Sequence, residues 1–192
     1  MTQKTAKEIL ENHSTFEKAQ ADMCKGYALG SLGIITSGMM WLVSALVSHY
    51  YSPKLAIWSL LIGGALISPV SNILGKLIGL KGHSAWNPLK NLAMENTIWM
   101  LMCIPIAYGL STQNVAWFFQ SMLLIIGGRY LTFSTLYGKK SYWALGATLG
   151  VFAYLLFSLH AQAFVTLVAG GSIELFFGTF LYFSYRKSIN ED

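Results

Sequence analysis

The chain alternates long apolar runs with short polar breaks, and the lengths of the runs say what they form. Residues 27–49, 55–75, 92–110, 115–137, 143–158 and 163–185 are each dominated by aliphatic, aromatic and small side chains. At a helical rise of 1.5 Å per residue, about 20 residues cross the roughly 30 Å hydrocarbon core of a bilayer. Six such runs predict six transmembrane helices, of which the fifth is the shortest and borrows residues at either end. Residues 2–25 follow another pattern. Thr5-x-x-Glu8 has the spacing of a capping box, and Ile9, His13 and Phe16 recur at helical intervals. This predicts a helix with a thin apolar face, resting on the membrane surface or on the end of the bundle. The breaks are short, so successive helices pack antiparallel. The expected architecture is all-α: a polytopic membrane bundle of six transmembrane helices with a short N-terminal cytoplasmic helix, divided as 1–26, 27–185 and a tail at 186–192.

Small residues recur at helical spacing within the runs. Gly26 and Gly30, Gly146 and Gly150, and Gly170 and Gly178 lie on stripes that permit close backbone contact. Gly63-Gly64, Gly127-Gly128 and Gly170-Gly171 occupy the second, fourth and sixth runs, a recurrence that close packing alone explains.

Composition sharpens the membrane reading. Hydrophobic residues make up 54% of the chain and charged residues 11%, less than half the roughly 25% of an average soluble domain. The net charge of +5 comes from Lys and Arg in short loops, which makes it a topology signal and not a nucleic-acid footprint. Eleven of the 13 basic residues fall on one side of the proposed membrane: Lys4, Lys7, Lys18 and Lys25; Lys76, Lys81 and Lys90; Lys139 and Lys140; Arg186 and Lys187. Cytoplasmic loops retain positive charge, so both chain ends are expected in the cytoplasm. Tyr50, Tyr51, Trp58 and Trp117 would mark the outer boundary, and Trp86, Tyr142, Trp143 and Tyr182 the inner one. The N-terminus lacks the apolar core and cleavage site of a secretory signal, so the first run is expected to remain as an anchor. Cys24 and Cys103 have no ligand spacing, and the four histidines are scattered over tail and loops, so neither a disulfide nor a metal centre is expected.

Ionisable groups inside a membrane are costly and usually face the protein interior or a water-filled cavity. Three occur here: Glu95, Arg129 and Glu174. Counted from cytoplasmic anchors, Arg129 lies roughly 15 Å deep, Glu174 roughly 18 Å and Glu95 roughly 8 Å. A bond between Arg129 and Glu174 is the economical expectation. Ser68, Asn72, Asn96, Thr97, Tyr130, Thr132 and Thr135 gather in the same half of the membrane, and Gly170, Glu174, Gly178 and Tyr182 recur every four residues. Glu95, Arg129, Glu174, Asn72, Asn96, Tyr130 and Thr132 are the candidates for a substrate or ion pathway. A structural staple of helices explains the same charges equally well. No catalytic constellation or cofactor motif is present, and Gly127-Gly128-Arg129-Tyr130 lacks the strand-to-helix setting of a phosphate loop.

Thr97-Ile98-Trp99-Met100, Cys103-Ile104-Pro105-Ile106-Ala107-Tyr108, Trp117-Phe118-Phe119-Gln120 and Gly127-Gly128-Arg129-Tyr130-Leu131-Thr132-Phe133 together resemble a family of small bacterial integral membrane proteins known as a domain of unknown function. Asn87-Pro88-Leu89 and Leu136-Tyr137-Gly138 are similar too. The resemblance runs from the first apolar run into the sixth and implies a bacterial cytoplasmic membrane, with no catalytic residues to carry over. Two function classes follow. One is a small transporter or channel-like protein for an ion or small anionic solute; the other is a non-catalytic membrane scaffold or partner subunit whose buried charges are structural. A lipid-modifying enzyme ranks below both, because no nucleophile completes a site. The expected partners are the lipid bilayer, anionic lipid headgroups at the basic loops, and further copies of the chain.

Overall fold

A computed structural model describes residues 3–191, with side chains described for 15–190. Every apolar run is a helix. In order, these are α1 (Gln3–Gly26), α2 (Ser31–Tyr50), α3 (Pro53–Leu77), α4 (Leu89–Ser111), α5 (Val115–Tyr137), α6 (Ser141–Ser158) and α7 (Ala163–Glu191), with one 3-10 turn at Ala28–Gly30. The proposed capping box at Thr5 and Glu8, and the side chains of Ile9 and His13, lie outside the described side chains. Chemistry at the breaks sets several ends. Ser52 accepts a hydrogen bond from the Leu55 amide ahead of Pro53, Asn114 accepts from the Ala116 amide, and Gly138 takes the left-handed conformation that closes α5. No breaker follows Tyr185, and α7 continues through the basic pair at 186–187 to Glu191.

Four stretches are long and apolar enough to cross a membrane: Ala28–Tyr50, Pro53–Leu77, Ser141–Ser158 and Ala163–Asn190. Helices α4 and α5, at 23 residues each, match them in length. Their hydropathy is diluted by Lys90, Asn91, Glu95 and Asn96 in one and by Gln120 and Arg129 in the other.

Packing follows two antiparallel groups. Helix α2 lies between α3 and α7, while α5 lies between α4 and α6; α5 and α6 also touch α7, which joins the groups. Trp41, Phe118, Phe119, Leu123, Tyr142, Leu149 and Leu167 fill the core. The α5–α6 contact is backbone to backbone: a Cβ on Gly146 would stand 2.6 Å from the Gly127 carbonyl oxygen. Outward faces remain apolar, with Ile62, Leu66, Met102, Ile106, Tyr154 and Phe176 exposed among many others. A water-soluble monomer seldom shows so continuous an apolar surface.

The two ends of the bundle differ in charge. Lys25, Lys76, Lys81, Lys90, Lys139, Lys140 and Arg186 lie at one, called the basic end below. The α2–α3, α4–α5 and α6–α7 junctions meet at the other, around a concavity lined by His49, Asn114, His160 and Gln162.

Helix α1 does not continue α2. Ala28, Leu29 and Gly30 have φ of 48°, 57° and 71°, a left-handed run that costs a non-glycine residue about 1–2 kcal/mol each. Ser31 Oγ donates to the Ala28 carbonyl at 2.7 Å and the Tyr142 hydroxyl donates to that of Leu29 at 2.5 Å, which holds the reversal in place. It lays α1 across the basic end. There Gln20 Nε2 donates to the Thr135 carbonyl at 2.6 Å and Cys24 Sγ to that of Tyr137 at 3.1 Å. Burial pushes the Cys24 thiol up, which keeps it a donor.

The α3–α4 loop is fastened to α1 through Asp22. Its Oδ2 accepts from the Ser84 amide at 2.8 Å and from Asn87 Nδ2 at 2.7 Å, and its Oδ1 from the Ser84 hydroxyl at 2.6 Å. Asn87, wholly buried, also donates to the Ala19 carbonyl and accepts from the Leu89 amide, where α4 starts. Burial opposes the charged form of Asp22, but the donors from Asn87 and Ser84 prevail and hold its carboxyl below the usual range. A depressed folded-state pKa contributes stability above the unfolded value that is lost as pH falls through the folded one. Asp22→Ala is therefore expected to lower the Tm of purified protein at neutral pH. The gap from wild type should close as the pH drops through the depressed value. A gap independent of pH would show that the charge on Asp22 contributes nothing.

Candidate functional site

Glu174 is wholly enclosed in the bundle, with none of its surface exposed. It lies on the α7 stripe with Gly171 and Gly178, and those glycines bring α2 close enough to seal it. A Cβ on Gly171 would lie 3.0 Å from the Gly38 carbonyl oxygen, and one on Gly178 3.0 Å from the Ile35 amide nitrogen. Glu174 Oε1 accepts a hydrogen bond from the Tyr130 hydroxyl on α5 at 2.9 Å. The Ser37 hydroxyl on α2 faces the same carboxyl, while Oε2 makes no hydrogen bond. Tyr130 packs against Phe133 and Tyr142, with ring centroids 5.7 and 6.1 Å away, and Tyr142 stacks on Tyr137 at 5.4 Å. This aromatic column runs from the carboxyl to the strained turn at Gly30. A carboxyl held by a phenol and faced by a hydroxyl, with one oxygen left open, is chemically suited to giving and taking a proton or to holding a small cation.

Arg129 is not its partner. The expected Arg129–Glu174 bond is absent, because consecutive helical residues diverge by about 100°: Tyr130 meets α7 and Arg129 turns to α4. There Nη1 approaches Met100 Sδ at 3.5 Å and Nη2 approaches Thr97 Oγ1 at 3.4 Å, with the guanidinium carbon 5.2 Å from the Phe133 ring centre. Nε is buried and unpartnered. Asn96 ties the same place together by donating to the Arg129 carbonyl at 3.1 Å and to Thr132 Oγ1 at 2.6 Å.

The seven sequence-derived candidates thus divide. Tyr130 and Glu174 meet at one site, and Asn96, Arg129 and Thr132 at another. Glu95 is exposed on α4, about 200° round the helix from Thr97, and Asn72 is exposed on α3. Neither contributes to the Glu174 centre. Sequence reasoning passed over Ser37, whose signal was a Thr36-Ser37 pair inside an apolar run. It also passed over Gln120, buried with Nε2 donating to the Leu156 and Ala161 carbonyls at 3.2 Å each and Oε1 unpartnered. Among the described residues, no three His, Cys, Asp or Glu side chains are grouped to hold a metal ion.

No curated protein and no solved structure matches the chain. A family model does match, over residues 16–184, taking in the Asp22 latch, the Glu174 centre and the Arg129 cluster. The chain belongs to the DUF7010 family, a family of unknown function.

Proposed function

We propose that the protein is a small membrane transporter or channel-like protein that exchanges a proton or small cation at Glu174. In this reading all six of α2–α7 cross the membrane, α4 and α5 being carried by their neighbours despite their polar residues. The basic end faces the cytoplasm, as the positive charge of its loops favours, and the resemblance to small bacterial membrane proteins points to the cytoplasmic membrane of a bacterium. One observation carries the proposal: a carboxyl with no exposed surface whose Oε2 has no hydrogen bond. A group that served only to join helices would be expected to use both oxygens, since an unsatisfied buried acceptor costs about 1–3 kcal/mol.

Infrared difference spectroscopy of purified protein tests this. A carboxylic C=O band that responds to a change of bulk pH is expected in wild type. It should be missing in Glu174→Gln and displaced in Tyr130→Phe, which lacks the donor to Oε1. A spectrum without any titrating band that depends on Glu174 would remove its role in proton exchange.

A further inference from the structure

The geometry points to a second site, an opening between α3 and α4 on the basic-end side of the bundle, in which we propose that Arg129 holds a small soluble oxyanion such as a phosphate or a carboxylate. The proposal rests on the reading that the basic end faces the cytoplasm, and it does not require Glu174 to exchange protons.

Helices α3 and α4 do not pack along their length. They meet at the end away from the basic loops, where the rings of Trp58 and Tyr108 stand 6.3 Å apart. From there α3 presents Ile57, Leu61, Gly64 and Ser68 at helical spacing on one face. Ile57 is buried, Leu61 half-buried, Gly64 has no atom within 4 Å of where a Cβ would stand, and Ser68 is exposed. The face that is sealed at one end is open from Gly64 onward. It is covered again at Gly75, beside Leu80 and Leu32. The facing stripe of α4 is Ala93, Thr97, Met100, Ile104 and Tyr108, and it is on this stripe, at Thr97 and Met100, that Arg129 ends.

The contacts of that guanidinium are poor ones. The hydroxyl at 3.4 Å lies beyond the usual range of a charge-assisted hydrogen bond, the thioether at 3.5 Å is at ordinary distance but is a weak acceptor, and Nε has no partner. Among the described residues no carboxylate pairs with it: Glu174 is held by Tyr130, and Glu95 is on the far side of α4. A cation at this depth without a counter-ion is costly, and an oxyanion supplies the charge and the acceptors that the planar fork lacks. Lys76 and Lys81, both exposed just beyond the covered stretch at Gly75, would raise the local concentration of anions on that side of the bundle. Arg129 is eight residues, roughly 12 Å of helix, from the basic end of α5, and the anion proposed for it is a soluble one, not a lipid phosphate.

The test is thermal unfolding of the protein in zwitterionic nanodiscs, with phosphate, sulfate, acetate or succinate compared with chloride at equal ionic strength. At least one oxyanion should raise the Tm by several degrees with a saturating dose response, as binding to the folded state requires. Arg129→Gln should abolish the rise. Gly64→Leu, which fills open space and leaves Arg129 in place, should abolish it too without lowering the Tm in chloride, so the outcome does not depend on whether Arg129→Gln folds. Glu174→Gln should keep the response, which separates this site from the proton-exchange reading. No rise with any of the four anions in wild type, or an undiminished rise in Gly64→Leu, overturns the proposal. A rise that appears only when anionic lipid replaces the zwitterionic one assigns Arg129 to a lipid headgroup and likewise overturns it.

Discussion

Gly127→Leu is expected to abolish the recovery of folded, monodisperse protein from detergent, whereas Gly128→Leu, one residue further on, is expected to be tolerated. The two differ only in which side of α5 they face. A Cβ on Gly127 would lie 2.9 Å from the Gly146 carbonyl oxygen and 3.3 Å from the Gly150 amide nitrogen, while one on Gly128 meets nothing within 4 Å. Overpacking a core costs about 1–3 kcal/mol where side chains can shift. Here the obstacle is backbone, so α5 and α6 must separate along their length. The penalty then approaches the roughly 5–15 kcal/mol of a whole domain's stability. Size-exclusion profiles and Tm values of the two variants, prepared side by side, check this. Equal behaviour would mean that α5 and α6 do not cross at Gly127 and Gly146.

The second large effect concerns the Glu174 centre and separates stability from function. Tyr130→Phe removes the donor to Oε1 and leaves a buried carboxyl without its hydrogen bond, so Tm should fall by an amount set by about 1–3 kcal/mol. The double variant Tyr130→Phe with Glu174→Leu removes donor and acceptor together. Replacing both members of a buried polar pair by apolar groups of similar shape is commonly neutral or stabilising, so its Tm should return to wild type or exceed it. Proton-linked transport should be lost in the double variant all the same. A double variant that is both stable and fully active would favour the reading of the bundle as a scaffold, with Glu174 a structural residue.

The helices were legible because length and apolar content are local properties. The six runs read from the sequence coincide with α2–α7 to within four residues, except that α7 continues six residues past the sixth run. The partner of Glu174 was not legible. Counting helical rise gives depth, and depth placed Arg129 and Glu174 together correctly enough to suggest a bond. It says nothing of azimuth, and Arg129 and Tyr130 differ in depth by one rise and in direction by about 100°. The same blindness applies to two of the three Gly-Gly pairs: a Cβ on Gly63 would meet Met40 and one on Gly64 nothing, as one on Gly127 would meet Gly146 and one on Gly128 nothing. The Asp22 latch was invisible for a different reason. Its donors lie 62 and 65 positions away in a loop whose Ser and Asn would be unremarkable in any turn. Burial of Asn87 is the consequence of tertiary folding and leaves no periodic trace.

Transport is the claim on which the account stands, and proton movement in proteoliposomes measures it most directly. Vesicles with a trapped pH-sensitive dye, carrying wild type or Glu174→Gln, would be exposed in turn to inward gradients of sodium, potassium, phosphate and succinate. The account predicts that at least one gradient changes the internal pH with wild type, and that this change disappears with Glu174→Gln although the variant inserts and unfolds like wild type. An internal pH that responds to none of the gradients with wild type, or responds equally with Glu174→Gln, would contradict it.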